Sequence, residues 1–217
     1  MYGRRGAAGT RGVAVTVETP NGAEFSIWAK MYLCAASLVP QAGVMRGYPS
    51  PVGTLVDYHQ LAIGILAGTL DWLQAAGFAQ VWVGVPETSR SRKPMLMMRA
   101  AYSGAPGLSG RLLEATGWTD ATVLGVVMGL LPFTEAPFVS FLDDLSAEFV
   151  QAGILTRGGY AAHGNVWNAE WLGYLAEAWL PEVWEVLQRV HARADWNVIE
   201  RNVMHAVAVK QHTDRDD

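Results

Sequence analysis

The side chains best suited to catalysis lie in and before the glycine-rich stretch 156–165, TRGGYAAHGN. His163 lies in this stretch with Arg157 and Asn165, and Asp144 precedes it. A histidine can exchange a proton near neutral pH, and arginine and carboxylate groups can bind charged atoms of a substrate. These four residues are therefore the first candidates for an enzyme site assembled from scattered parts of the chain.

No catalytic or metal-binding signature accompanies them. The five histidines lack the HExxH and Glu-x-x-His spacings, and a single cysteine, Cys34, cannot form an internal disulfide or a multi-cysteine zinc site. The sequence also lacks GxGxxG, GxxxxGK and GxSxG. We therefore assign no catalytic residue, metal ligand or cofactor. The apolar surroundings of Cys34, MYLCAASL, predict a buried thiol.

The strongest sign of a binding surface is a basic cluster of Arg90, Arg92 and Lys93, with Arg99 shortly after it. Arginine and lysine side chains neutralise phosphates without reading a base sequence. We therefore predict these four residues as nucleic-acid contacts, with an exposed polar loop as the alternative interpretation. RKPMLMM, which overlaps the cluster, resembles a basic-Pro-Met stretch in nucleoproteins of segmented negative-strand RNA viruses. Its flanking residues do not follow that family, so no residue role is transferred.

The composition indicates one globular domain with a large core. The chain has 217 residues, of which 51% are apolar and 17% charged, and this balance leaves apolar surface for partners. We expect the domain to occupy residues 13–210, between a flexible basic arm at 1–12 and a flexible tail at 211–217. The net charge of −4 excludes a uniformly basic surface but is compatible with a local basic groove.

Neither a signal peptide nor a membrane span is expected. The first twelve residues lack the apolar core of a signal peptide. The most apolar stretch, 121–142, is interrupted by Pro132, Glu135 and Pro137. The expected location is the interior of a cell or a virion, with no membrane partner.

The fold is predicted to be organised around a long helix over residues 54–76. Thr54 can cap its first turn, and Gly77 can adopt the left-handed conformation that ends a helix. Apolar residues recur at helical spacing around most of its circumference, which places it in the core. Gly64 and Gly68 lie on one face and predict a close crossing with a second helix.

Residues 13–30 predict a β-hairpin. VAVTVET alternates apolar and polar residues, Asn21-Gly22 is a turn pair that tolerates positive φ, and EFSIWAK alternates again. An isolated hairpin is marginal in water, so this one is expected to pack on the helices or to pair with another chain.

Most of the remaining chain is predicted to be helical. Separate helices are expected from MLMMRAAYSG, from TDATVLGVVMGLL and from APFVSFLDDLSAEFVQAG; Gly125 and Gly129 of the second repeat the glycine spacing of the long helix. Thr119 or Asp120 is the expected cap of that second helix. FAQVWVGV fits either a strand or the end of a bent helix. Two more helices are expected to meet at Pro181. The fold class is therefore mainly α, or α+β with a small sheet.

Three functions are compatible with these features. The first is a non-catalytic structural protein that assembles with copies of itself, such as a coat or nucleocapsid-like subunit of a viral or phage particle, with nucleic-acid contact as an option. The basic arm, the hairpin that needs a partner and the abundant aromatic residues favour a homo-oligomer. The second is an enzyme whose site forms around the 156–165 loop. The third is an adaptor that binds one different protein.

Overall fold

The structure, a computed structural model, describes residues 25–86, 94–102, 105, 107–131, 134, 136–156, 162–163, 166–167, 169–193 and 201. Within these residues the helices are α1 Ile27–Leu33, α2 Ala35–Leu38, α3 Tyr58–Ala75, α4 Gly107–Thr116, α5 Val123–Leu130, α6 Pro137–Gln151 and α7 Ala169–Ala192. The strands are β1 Gly47–Pro49, β2 Leu55–Asp57, β3 Ala79–Gly84, β4 Met95–Ala100, β5 Ala121–Thr122, β6 Ala162–His163 and β7 Val166–Trp167. The predicted mainly helical fold with a small sheet is confirmed.

All the described strands pair in antiparallel fashion. β1 pairs with β2 and β6 with β7, while β3, β4 and β5 form a three-stranded sheet with β4 in the middle. The helices cover this sheet unevenly, because α4 and α5 pack against β4 while β3 contacts α3.

Helix α3 lies at the centre of the fold. It packs against α1, α4, α6 and α7 and against β3, and eleven of its residues are buried. A helix that is apolar around most of its circumference can lower its free energy only when other elements surround it. The predicted central helix is therefore confirmed.

The start of α3 differs from the prediction, and its end agrees. Asp57, not Thr54, is the N-cap, and its carboxylate accepts a hydrogen bond of 3.0 Å from the Gln60 N–H. The helix starts later because the three residues before it pair with β1 as strand β2. Gly77 follows the helix with a φ of 76°, the left-handed conformation that was expected there.

The second half of the predicted hairpin at 13–30 is wrong. Ile27 to Lys30 belong to α1, and residues 13–24 lie outside the described residues. Two alternating apolar residues do not separate a strand from a helix, because Ile27 and Met31 also share one helical face. Contacts with α3 and α7 on several sides bury six of the seven residues of α1, which stabilises the helix.

The predicted helix in MLMMRAAYSG is also wrong, because β4 pairs with β3 over six residues, from Gly84↔Met95 to Ala79↔Ala100. Leu96, Met97 and Met98 are all buried, so the strand shows no alternation of apolar and polar residues. Leucine and methionine favour helices intrinsically, but pairing in the middle of a sheet overrides that weak preference.

Helix α6 is confirmed, with its apolar face buried as expected at Phe138, Phe141, Leu142, Leu145 and Phe149. Pro137 lies in its first turn, where the missing N–H would have no partner in any case. The spacing of three and four residues along this face is the pattern that made the helix predictable.

Helix α5 begins later than predicted. Thr122 is its N-cap and accepts a hydrogen bond of 3.1 Å from the Gly125 N–H, so neither Thr119 nor Asp120 has that role. The residues before α5 form β5, which pairs with β4. Sheet pairing therefore delays the start of α5 as it delays the start of α3.

One 24-residue helix, α7, replaces the two helices that were expected to meet at Pro181. The proline lies inside α7, where it removes the hydrogen bond to the carbonyl of Glu177 and crowds that carbonyl with its ring. The helix continues because one face stays buried on both sides of the proline, at Leu172, Leu175, Trp179, Val183, Val186 and Val190. Neither α7 nor any other helix among the described residues is long and apolar enough to cross a membrane.

The predicted crossing of two glycine-bearing helices is wrong. Gly68 instead faces Met31 of α1, whose terminal methyl group would overlap a Cβ at this position. A Cβ on Gly129 would meet no atom within 4 Å, and one on Gly125 would meet only the side chain of its own N-cap. The glycine of α3 therefore makes room for a methionine and not for another helix backbone.

Candidate functional site

Two large apolar side chains lie in solvent at the tip of a tight turn. The Arg46 N–H donates a 3.1 Å hydrogen bond to the Gly43 carbonyl, which places Val44 and Met45 at the two central positions. Val44 is 88% exposed and Met45 94% exposed. Central turn positions usually hold Gly, Pro, Asn, Asp or Ser, so turn formation does not explain this pair. Residues 43–46 are called the apolar turn below.

Backbone hydrogen bonds hold the apolar turn on both sides. The Ala42 N–H donates to the Leu55 carbonyl at 3.1 Å, and the Tyr58 N–H donates to the Arg46 carbonyl at 3.2 Å. The strand that follows the turn, β1, pairs with β2. The two apolar side chains are therefore presented from an ordered backbone.

A cavity of about 300 Å³ opens close to the chain segment that leads into this turn. Residues of α1, α2, α3 and α7 form its wall together with Val39, which follows α2: Met31, Leu38, Val39, Gln60, Leu61, Ile63, Gly64, Ile65, Trp184, Leu187 and His191. Trp184 is 45% exposed, and a Cβ added to Gly64 would meet no atom within 4 Å. An apolar cavity of about 150 Å³ holds one benzene molecule, so this cavity can take two apolar side chains. We call it the α3–α7 pocket.

Strand β3 lies at the edge of its sheet. One side pairs with β4, and no strand in the described part of the chain pairs with the other. Charged residues and prolines usually prevent edge strands from pairing with other chains, but the sequence of β3, AQVWVG, contains neither. Val83 is 44% exposed, and Val85, just beyond the strand, is 51% exposed. Within the described part of the chain, the edge therefore combines backbone groups that have no partner strand with apolar side chains.

The predicted nucleic-acid contacts are only partly described. Arg90, Arg92 and Lys93 lie outside the described residues. Arg99 is exposed on β4, and its Nη2 lies 2.5 Å from Oδ1 of Asp120. This ion pair opposes the attraction of a phosphate, so Arg99 is a weaker candidate than its position in the sequence suggests.

The residues proposed for an enzyme site are also only partly described. Arg157 and Asn165 lie outside the described residues, while the backbone of His163 pairs with Val166 between β6 and β7. Asp144 is exposed on α6. The described residues therefore add no observation in favour of an enzyme site around 156–165.

A polar cluster of two buried tyrosines, Ser146 and the exposed Asp143 joins α1, β1 and α6. The Tyr48 hydroxyl donates a 3.0 Å hydrogen bond to Oδ1 of Asp143, and the Tyr32 hydroxyl is hydrogen-bonded to Tyr48 and Ser146. Burial raises the pKa of both tyrosines, and the Asp143 carboxylate adds to that rise. Both phenols therefore stay protonated at neutral pH, and the cluster connects three elements through satisfied polar atoms.

The thiol of Cys34 is buried, as predicted. It is 1% exposed, and burial raises the pKa of this thiol to about 12. A thiol that is almost fully protonated at neutral pH is a poor nucleophile. Among the residues that the structure describes, no group of three or more His, Cys, Asp and Glu side chains could hold a metal ion.

No protein-family model matches the chain, and neither does any curated protein or solved structure. Three surface features of the described residues therefore indicate where this protein binds: the apolar turn, the α3–α7 pocket and the edge of β3. Sequence reasoning did not identify any of them. The signal for the turn was available in PQAGVMRGYPSPVG, where two large apolar residues interrupt a run of turn-forming residues.

Proposed function

We propose that this protein is a non-catalytic structural subunit that assembles with copies of itself. The edge of β3 carries the proposal, because it is six residues long, uncharged and without a second partner strand among the described residues. A two-fold axis joins the same patch on two copies, so β3 can pair antiparallel with β3 of a neighbour. The pairing would join the three-stranded sheets of two copies into one continuous sheet.

Apolar groups at both ends of β3 support this contact. Val83 and Val85 are exposed near its end, and Tyr102 is 63% exposed near its start, where its ring meets Phe78 at a centroid distance of 6.2 Å. Main-chain hydrogen bonds stabilise an added strand, and neighbouring side chains contribute apolar contact area. Burial of these side chains would add to the hydrogen bonds of a β3–β3 pair.

The assembly we propose is a particle of the viral or phage type, with this chain as a coat or nucleocapsid-like subunit. Sequence features support this choice. Residues 1–12 contain three arginines, and basic arms of this kind often contact neighbouring subunits or nucleic acid. Contact with nucleic acid through Arg90, Arg92 and Lys93 belongs to the same proposal.

The first test is the molar mass of the purified chain, measured by size-exclusion chromatography with light scattering together with the 260/280 nm absorbance ratio. We expect a defined oligomer, and we expect Val83→Lys to reduce its mass because a lysine on an edge strand opposes pairing with another strand. Tyr174→Lys is the control, since Tyr174 is 61% exposed on α7 and lies outside the sheet. A 23.5 kDa monomer at every protein and salt concentration would contradict self-assembly.

A further inference from the structure

We infer that the apolar turn of one copy inserts Val44 and Met45 into the α3–α7 pocket of a second copy. This contact rests on the proposed function of self-assembly and gives it an interface distinct from β3. The two side chains do not fill the pocket of their own chain, because they are 88% and 94% exposed. Both side chains are therefore free to contact a second molecule.

The turn and the pocket match in size and polarity. The pocket volume of about 300 Å³ is roughly twice that of an apolar cavity that holds one benzene molecule, which suits one valine and one methionine side chain. Most of the wall is aliphatic or aromatic, and Met31 of α1 adds a flexible side chain that can adapt to the occupant. Removing both side chains from water would be the main driving force for the contact.

The turn needs little ordering before it binds. The hydrogen bond from Arg46 to Gly43 closes it, and the bonds from Ala42 to Leu55 and from Tyr58 to Arg46 attach it to β2 and α3. Binding surfaces that are already ordered lose less conformational entropy on association. Two exposed apolar side chains on an ordered turn thus form a stronger contact than the same pair on a mobile loop.

The apolar turn and helix α7, which supplies part of the pocket wall, carry exposed charges of opposite sign. Arg46 ends the apolar turn and is exposed. Glu185 directly follows Trp184 of the pocket, and its side chain is 73% exposed. This carboxylate already accepts a 2.9 Å bond from Arg189, and a carboxylate has room for a second arginine. The charge pair would favour the docking orientation that brings Arg46 to the α7 side of the pocket.

Two variants remove the two halves of this contact separately. Val44→Ser/Met45→Ser makes the turn polar without changing any buried residue. Gly64→Leu fills the pocket from its wall, and the open space around Gly64 lets the new side chain fit. Gly173→Leu is the matched control, because it puts the same side chain on an exposed, uncrowded position of α7.

The decisive experiment compares the molar masses of these variants, alone and mixed, by light scattering. Each of the first two variants should associate at least about tenfold more weakly than the natural chain, and Gly173→Leu should behave like it. Val44→Ser/Met45→Ser, the polar-turn variant, keeps an intact pocket. Gly64→Leu, the filled-pocket variant, keeps an intact turn. An equimolar mixture should therefore recover the turn-in-pocket association, which neither variant shows alone.

The possible failures are distinguishable. If the natural chain is a monomer, the proposed self-assembly itself fails. If the natural chain associates and the polar-turn variant keeps its full mass, self-assembly stands and the turn-in-pocket contact is wrong. Urea unfolding of each variant shows whether it is folded. If Gly64→Leu does not fold, the mass of the polar-turn variant alone still decides whether the turn-in-pocket contact exists. Loss of mass in both variants without recovery on mixing would also contradict the contact.

Discussion

His59 lies in the first turn of α3, between two aromatic rings. Its imidazole stacks on Tyr58 with a centroid distance of 4.3 Å and meets the edge of Phe138 at 5.3 Å. Burial lowers the pKa of His59 below 6.5, Asp57 opposes that shift, and Arg46 adds to it. The neutral imidazole is therefore the form that the folded chain prefers.

We expect the free energy of unfolding to fall as the pH decreases through 6.5, the usual pKa of histidine, towards the lower pKa of His59 in the folded chain. The unfolded chain takes up a proton on His59 near pH 6.5, while the folded chain does so only at lower pH, so the stabilisation is complete above 6.5 and is lost as the pH falls through the folded pKa. His59→Phe keeps an aromatic ring and removes the titration. Urea unfolding of both proteins should show a smaller pH dependence in the variant, and equal dependences would disprove this role.

Asp71 of α3 connects this helix to α7 through ion pairs. Its side chain is 11% exposed; Oδ2 lies 3.1 Å from Nε of Arg189, and Oδ1 lies 3.8 Å from Nη1 of Arg193. Arg193 also donates a 2.7 Å bond to Gln74. A largely buried carboxylate is stable here because two cations and the hydrogen bond from Arg189 replace the water that it loses.

Asp71→Asn should lower the free energy of unfolding by about 1–2 kcal/mol, because the amide loses the charge that both arginines face. The effect stays moderate since the Arg189 side chain is 42% exposed and water can solvate it. Asp120→Asn is the control: its pair with Arg99 lies on the surface, so its removal should cost less than about 0.5 kcal/mol. Similar losses of stability in urea titrations would show that Asp71 makes no special contribution.

Elements with a pattern of their own could be predicted, and elements that depend on a distant partner could not. The apolar face of α6 shows helical spacing and was found, as was most of α3. The sequence of strand β4 predicts a helix because Leu96, Met97 and Met98 put buried side chains on both faces of the strand and thereby hide any alternation. Pro181 suggested a break in α7, and only the continuous burial against other helices shows why the helix continues.

The candidate site was harder to predict than the fold for the same reason. Val44 and Met45 are visible in the sequence, but their exposure depends on the hydrogen bonds to the Leu55 carbonyl and from the Tyr58 N–H that hold the turn away from the core. The α3–α7 pocket joins side chains as far apart in the sequence as Met31 and His191. No local sequence pattern predicts which distant residues will come together in the wall of this pocket.

At the scale of the whole molecule, the two proposed contacts have different consequences. A two-fold β3–β3 contact uses the same surface on both copies and stops at a dimer. A turn and a pocket are different surfaces, so each copy can donate its turn to one neighbour and accept a turn from another unless two copies exchange turns reciprocally. Together, the two contacts would allow growth beyond a dimer, which a particle subunit requires.

Combining the variants tests whether β3 forms the dimer and the turn-in-pocket contact extends it. Val83→Lys alone should leave only turn-in-pocket assemblies, and Val44→Ser/Met45→Ser alone should leave a β3-paired dimer of twice the chain mass of 23.5 kDa. The triple variant should be a monomer, because both contacts are removed while only solvent-facing side chains change. Light scattering over a range of protein concentrations measures each mass, and urea unfolding confirms that each variant is folded. A folded triple variant with the full mass of the natural assembly would place the interface on another surface, whereas stepwise loss of mass would assign one contact to each feature.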